Sequence, residues 1–238
     1  MNPPVPVVIL CGGRGTRLRE GKREIPKALV PIGGVPILLH IMRLYASRGF
    51  SDFVLCLGYR GGQIRRFWAR PPREARGWRV DCVDTGVDTN TAGRLKRAAP
   101  HIRSADFFAT YGDGLSDIDP RGLLAYHLRH GRAATMTCVK PPIQFGVAEL
   151  GPGRRVTAYV EKPPSEKWVN GGFFVFQRRM LSYIRGDEVL EQGPFARLTR
   201  ARELVAYPFR GFWNCMDTYK DNLRLNELWD GGQAPWRV

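Results

Sequence analysis

The sequence predicts an α/β fold built on a mixed, mainly parallel central sheet with helices on both faces. Two observations carry that prediction. Short apolar, β-rich runs alternate with stretches whose apolar residues recur at helical spacing, the pattern of strands buried on both faces by helical crossovers. The glycine-rich segment Cys11–Glu20 follows the first of those runs, where loops leave the carboxyl ends of parallel strands and ligands bind. With 238 residues, 43% of them hydrophobic, the chain can bury one sizeable core.

Val5–Leu10 is the first strand, ended by glycines. Pro36–Ser47 is a helix: Ile37, Leu38, Ile41, Met42 and Tyr45 share a face, and Gly49 stops it. Phe53–Leu57 is a strand, Gly61–Ala69 a helix and Trp78–Val83 a third strand. Thr85–Arg94 reads as the loop after it. Asp106–Tyr111 is a fourth strand, followed by a loop over Gly112–Asp117, a helix over Pro120–His130 and a strand over Ala133–Val139. The second half is richer in strands, at Gly146–Leu150, Val156–Val160, Gly172–Phe176 and Leu204–Tyr207, and a helix from about Thr218 to Trp229 closes it.

No apolar run approaches the roughly 18 residues of a spanning helix, and the six-residue run Val5–Leu10 is too short for a signal peptide. Five cysteines form an odd set with no C-x-x-C pair and lie mostly in apolar runs, which predicts reduced thiols in a cytoplasmic protein rather than a disulfide or zinc framework. The net charge is +15, and 30 of the 37 basic residues are arginine, whose planar fork suits phosphates. Nucleic acid and nucleotides are both polyanions of the right kind. The arginines are dispersed and no recognition helix or aromatic RNA-binding signature is present, so the expected partners exclude nucleic acid as well as membrane.

The strongest local signal is Gly12-Gly13-Arg14-Gly15-Thr16-Arg17-Leu18. Three glycines in four residues leave backbone N–H groups open to wrap an oxyanion, with two arginines to grip phosphates. A dinucleotide fingerprint starting at Gly13 would need glycine where Leu18 stands, and no Walker A G-K-S/T triplet occurs. Lys27, between Pro26 and Ala28, could supply a point charge to phosphates, although alone it reads as a surface lysine. Tyr111-Gly112-Asp113-Gly114 sets a carboxylate between two glycines at a strand end, a form suited to a Mg²⁺ shared with substrate phosphates. Asp217 reads by itself as a helix N-cap, and Asp117 and Asp119 as turn and cap residues. Glu161, Lys162 and Asn170 pair polar groups with glycine and suit sugar hydroxyls as well as turns. His127 and His130 read as the solvated face of a helix.

The order GGRGTRL, PKALVPIGG, YGDG, EKP and NGG resembles the sugar-1-phosphate nucleotidyltransferases over nearly the whole chain. Within that family, Val83–Arg97, Thr110–Asp119, Asn170–Phe176, Gly211–Thr218 and Ala234–Trp236 are most similar to the branch using CTP and glucose-1-phosphate. The resemblance implies a Rossmann-like nucleotide-diphospho-sugar transferase fold in a single domain, 1–238. Its nucleotide-binding half would span about 1–118 and its sugar-phosphate-binding half about 119–238. The implied reaction joins a nucleoside triphosphate to a sugar-1-phosphate with release of pyrophosphate and needs Mg²⁺. CTP is the favoured nucleotide; GTP or dTTP with another sugar is one alternative, and a basic non-catalytic nucleotide- or nucleic-acid-binding protein is the alternative of another class.

Carried over residue by residue, Arg17, Lys27 and Asp113 would be catalytic, and Asp113 and Asp217 would hold the metal. Leu10, Cys11, Gly12, Gly13, Arg14, Gly15, Thr16, Arg17, Lys27, Thr89, Gly93, Arg94 and Gly112 would bind the nucleotide. Gly146, Glu161, Lys162 and Asn170 would face the sugar phosphate. Three departures accompany the likeness: Ile25 replaces a lysine, Thr91-Ala92-Gly93-Arg94 replaces T-G-G-R, and Tyr59–Val83 lacks the insertion that reaches a neighbouring subunit. A homo-oligomer is left open.

Overall fold

A computed structural model describes residues 4–15 and 25–238. In chain order the elements are β1 (Val7–Leu10), β2 (Pro31–Ile32), β3 (Val35–Pro36), α1 (Ile37–Ala46), β4 (Asp52–Leu57), α2 (Gly61–Trp68), β5 (Arg79–Asp84) and α3 (Thr91–Ala98). They continue with β6 (Asp106–Tyr111), β7 (Gly114–Ser116), α4 (Pro120–His130), β8 (Ala134–Val139), β9 (Val147–Leu150), β10 (Val156–Val160) and β11 (Val169–Gln177). The last four are α5 (Pro194–Arg200), β12 (Leu204–Pro208), β13 (Trp213–Cys215) and α6 (Tyr219–Asp230).

Seven strands form the central sheet in the order β12-β8-β11-β6-β1-β4-β5. All neighbours pair parallel except β11, which runs antiparallel to both β6 and β8. The expected mixed, mainly parallel sheet is present. Its strands are apolar on both sides because both sides are covered. Val7, Ile9, Phe53, Leu55, Phe108 and Val175 pack on one face under Ile37, Leu38, Ile41 and Met42 of α1. Val8, Leu10, Val54, Cys56, Phe107, Phe174 and Phe176 pack on the other, with Leu95 of α3 and Leu198 of α5. Successive residues of β1 thus enter opposite cores, as the two-residue strand period requires.

Two stretches differ from the sequence reading. The supposed loop Thr85–Arg94 ends in helix: Thr91, Ala92, Gly93 and Arg94 are the first turn of α3. The helix takes the short apolar face Ala92, Leu95 and Ala98, too small a periodic signal beside Arg94, Lys96 and Arg97. The expected loop Gly112–Asp117 contains β7, which pairs antiparallel with β13 in a ribbon apart from the sheet.

His127 is also placed differently. It is fully buried under β8, not on a solvated face. The backbone N–H of Arg132 donates to His130 Nδ1 at 3.0 Å, so neutral His130 carries its proton on Nε2, which lies 2.7 Å from Thr135 Oγ1. The Thr135 hydroxyl proton is then left for His127 Nδ1, at 2.7 Å.

Candidate functional site

Chain reversal at the sheet creates the site. From β1 the chain steps outward to β4 and β5, while β6 lies on the other side of β1, so the loops after β1 and β6 part at adjoining carboxyl ends. Leu10 and Tyr111 are paired across those ends. Between the two loops lies a pocket of about 220 Å³, lined by Leu10, Cys11, Gly13, Gly15, Lys27, Ala28, Gly112 and Asp113. Much of the nucleotide set expected from the sequence therefore meets in one place. Thr16 and Arg17 lie outside the described residues.

Lys27 enters from a turn of 3-10 helix, Lys27–Leu29, anchored by buried Ala28. Its Nζ donates to Asp113 Oδ2 at 2.6 Å and to Asp217 Oδ1 at 2.7 Å. Burial alone would depress this ammonium, but the charge of Asp113 and hydrogen bonds to both aspartates outweigh it and hold the pKa above the ordinary lysine value. Lys27 is not the surface lysine its neighbours in sequence suggest.

The β7–β13 ribbon explains how residues so far apart in sequence converge. Cys215 pairs with Gly114, and the Met216 N–H donates to the carbonyl of Asp113 at 2.9 Å, which sets Asp217 beside Asp113. Asp217 is not the N-cap of α6. Thr218 is, in a capping box with Asp221, whose carboxylate also accepts the N–H of Asp217. The Asp217 side chain is thereby left to the site.

Ligand atoms of Asp113, Cys215 and Asp217 all lie within 4.8 Å of one another. Burial, then the charge of Asp113, pushes the Cys215 thiol well above its usual range, so it is neutral. The donor set facing Lys27 is thus two hard carboxylate oxygens already coordinating a cationic group, a fit for a hard divalent cation.

Arg94 is buried and does not face the pocket. Its Nη1 reaches the Leu57 carbonyl at 3.1 Å, the Thr85 hydroxyl at 2.8 Å and the Gly86 carbonyl at 2.7 Å. Its Nη2 reaches the carbonyls of Gly12 and Val87, both at 3.1 Å. The guanidinium is spent on tying the glycine loop to β4 and to the loop after β5. Glycine is required at position 12 because a Cβ there would fall inside that guanidinium. Gly93 is likewise closed off: a Cβ would run into the carboxylate of Asp187. Thr89 accepts a hydrogen bond from Arg97 at 2.8 Å, and Ala92 is buried in the core, so this departure puts no side chain into the pocket. Arg14 is exposed and bridges to Asp88 at 2.6 Å, joining the glycine loop to the loop after β5.

The residues expected for the sugar phosphate divide. A Cβ on Gly146 would meet the Tyr159 ring, and Tyr159 donates to Glu161 at 2.7 Å, with Lys162 Nζ 3.7 Å from Glu161. These gather at the base of the β9–β10 hairpin, and Lys162 lines a second, larger cleft of about 800 Å³. Asn170 is separate; its side chain accepts the Gly172 N–H at 2.8 Å within β11. β13 lies between the two cavities, with Trp213 and Asn214 on the larger one and Cys215 beside Asp113. Lys140, Arg210, Lys220 and Arg224 also line that cleft and carry no motif from which sequence reasoning could have chosen them. Asp187, which accepts the Asn90 N–H at 2.8 Å, was missed for the same reason, whereas Cys215 lies within Gly211–Thr218 and was passed over for Asp217.

Residues 6–221 match the family described as nucleotidyl transferase. The chain is 38% identical to a probable glucose-1-phosphate cytidylyltransferase of Bacillus subtilis over 97% of its length and 98% of that protein's. It is 38% identical, over the same shares, to the glucose-1-phosphate cytidylyltransferase of Salmonella typhimurium. A mannose-1-phosphate guanyltransferase of Gibberella zeae is 31% identical over 91% of this chain and 62% of its own. In fold, the crystal structure of HddC from Yersinia pseudotuberculosis superposes with a TM-score of 0.72 at 21% identity, covering 94% of this chain and 99% of that one. The chain belongs to the nucleotidyl transferase family and is a sugar-1-phosphate nucleotidyltransferase.

Proposed function

We propose that this chain makes CDP-glucose and pyrophosphate from CTP and glucose-1-phosphate. The observation that carries the site assignment is the Lys27 ammonium held by Asp113 and Asp217 at the mouth of the glycine-loop pocket. The choice of base and sugar is supported by similarity along nearly the full length of the two cytidylyltransferases.

An oxygen of the glucose-1-phosphate attacks the α-phosphorus of CTP. The bond to the oxygen bridging the α- and β-phosphates breaks, and that oxygen leaves with the bonding pair as part of pyrophosphate. The nucleophile, whose second pKa is about 6, needs no general base at neutral pH. What remains for the protein is alignment and charge neutralisation. Backbone N–H groups around Gly13 and Gly15 would cradle the phosphates, and Lys27 would neutralise them. Glu161 and Lys162 would face the sugar phosphate from the base of the β9–β10 hairpin, and Asn170 separately from β11. Arg94 acts through the loop and not on the nucleotide. Asp113 and Asp217 would hold Mg²⁺, which when bound neutralises charge on the triphosphate oxygens.

The test is pyrophosphate release from five nucleotides (CTP, UTP, ATP, GTP, dTTP) against the 1-phosphates of glucose, mannose and galactose. The highest kcat/KM is expected for CTP with glucose-1-phosphate. A preference for another pair would overturn the choice of base and sugar.

A further inference from the structure

We propose that Cys215 makes this site a trap for thiophilic divalent cations: Zn²⁺ or Cd²⁺ binds to Asp113, Cys215 and Asp217 in place of the Lys27 ammonium and stops the reaction. The binding stands on the geometry alone, and the inhibition rests on the catalytic placement proposed above. The three donor atoms already lie within 4.8 Å of one another. A tetrahedral zinc ion with one sulfur and two oxygens would set them roughly 3.5 Å apart, given Zn–S near 2.3 Å and Zn–O near 2.1 Å. Side-chain rotations of about an ångström close that gap.

The position is already one that a cation holds, since Lys27 Nζ sits 2.6 Å from one carboxylate and 2.7 Å from the other. A hard ion gains little from a thiol and leaves it protonated, whereas a soft ion binds sulfur strongly enough to displace its proton. On binding, the S–H bond breaks, its proton passes to solvent, and the sulfur's electron pair forms the S–metal bond. No electron changes hands. Lys27 keeps its proton and gives up its place between the carboxylates, near enough to offset the single net negative charge of two carboxylates, one thiolate and the dication. Zinc then occupies both carboxylates that the reaction needs.

Cadmium–thiolate absorbance reads the site directly. The wild-type chain should show one equivalent that Cys215→Ser lacks, that Zn²⁺ abolishes and that millimolar Mg²⁺ leaves in place. In wild-type protein, where no substitution can disturb folding, zinc-edge X-ray absorption at one equivalent of Zn²⁺ should show one sulfur neighbour at about 2.3 Å. The Zn²⁺ concentration for half-inhibition of pyrophosphate release should rise at least about 10-fold in Cys215→Ser, the lower limit of what even an outer partner of a metal site is worth. Equal absorbance in both proteins, or a zinc shell of oxygen and nitrogen alone, would overturn the trap. Absorbance and a sulfur neighbour as expected with a rate insensitive to Zn²⁺ would confirm the binding and overturn the inhibition.

Discussion

Arg94 Nη2 donates to the carbonyl of Gly12 at 3.1 Å, so a buried cation from α3 holds the loop after β1 from below. No carboxylate hydrogen-bonds this guanidinium among the described residues; carbonyls and one hydroxyl solvate it, and burial draws its pKa below the usual arginine value. Arg94→Met leaves several buried acceptors without a donor, at about 1–3 kcal/mol each. The expected loss is on the order of 3 kcal/mol in chemical denaturation. A positioning role adds a kinetic signature: KM for the nucleotide should rise at least about 10-fold while KM for the sugar phosphate stays within about twofold. Equal changes in both would reduce Arg94 to a structural role.

Lys27 sits between two carboxylates rather than beside one. Lys27→Ala removes the only point charge described inside the glycine-loop pocket, other than that of Asp113. Removing one pre-organised charge-stabilising group costs about 3–4 kcal/mol of barrier, so turnover should fall at least about 100-fold. Asp113→Asn should do the same with the far-ultraviolet spectrum unchanged. Rates near wild type in either variant would move the site elsewhere.

His127 gives the fold a pH dependence. Burial, then the neighbouring charges of His130 and Arg179, lowers its pKa to about 4. Asp106 Oδ1 is 3.3 Å away but makes no hydrogen bond with it, and burial raises that carboxyl's own pKa. The unfolded chain takes up this proton near pH 6.5 and the folded one only near 4, so stability falls as pH drops through that interval and is unaffected above it. A difference of about 2.5 units corresponds to about 3 kcal/mol. Urea titrations at pH 7.5, 6 and 5 should show a steeper loss for wild type than for His127→Gln, which keeps an acceptor for Thr135 and does not titrate. Parallel losses would show that His127 is not the group responsible.

The sheet was legible because the unbroken apolar runs in Val5–Leu10 and Phe53–Leu57 report burial on both faces, a local property of each strand. Asp106–Tyr111 coincides with its expected bounds for the same reason, and Pro120–His130 does so because Asp119 caps it, Pro120 opens it and Gly131 ends it. What failed was whatever depends on a distant partner. α3 was hidden because its apolar face is only Ala92, Leu95 and Ala98. His127 looked solvated because nothing in Pro120–His130 announces the Thr135 hydroxyl on β8. The glycine loop and the Asp113 turn could be read from local chemistry. The meeting of Lys27 with Asp217 could not, since it is made by the β7–β13 pairing, and only likeness to a family pointed to it.

Asp217 and Thr218 are chain neighbours with separable jobs, and this gives the sharpest test of the site. The Thr218 hydroxyl accepts the Asp221 N–H at 3.2 Å and caps α6, while the Asp217 carboxylate turns toward Lys27. Thr218→Ala should therefore cost about 1 kcal/mol of stability and leave kcat within about threefold, because a lost cap weakens a helix end without moving a ribbon fixed by β13. Asp217→Asn should do the reverse, losing at least about 10-fold in kcat at little cost in stability, since the side chain is half exposed. It should also raise the Mg²⁺ concentration needed for half-maximal rate. If Thr218→Ala lost activity as severely as Asp217→Asn, the helix end and the acid would be acting as one unit, and placing Asp217 at the metal would lose its support.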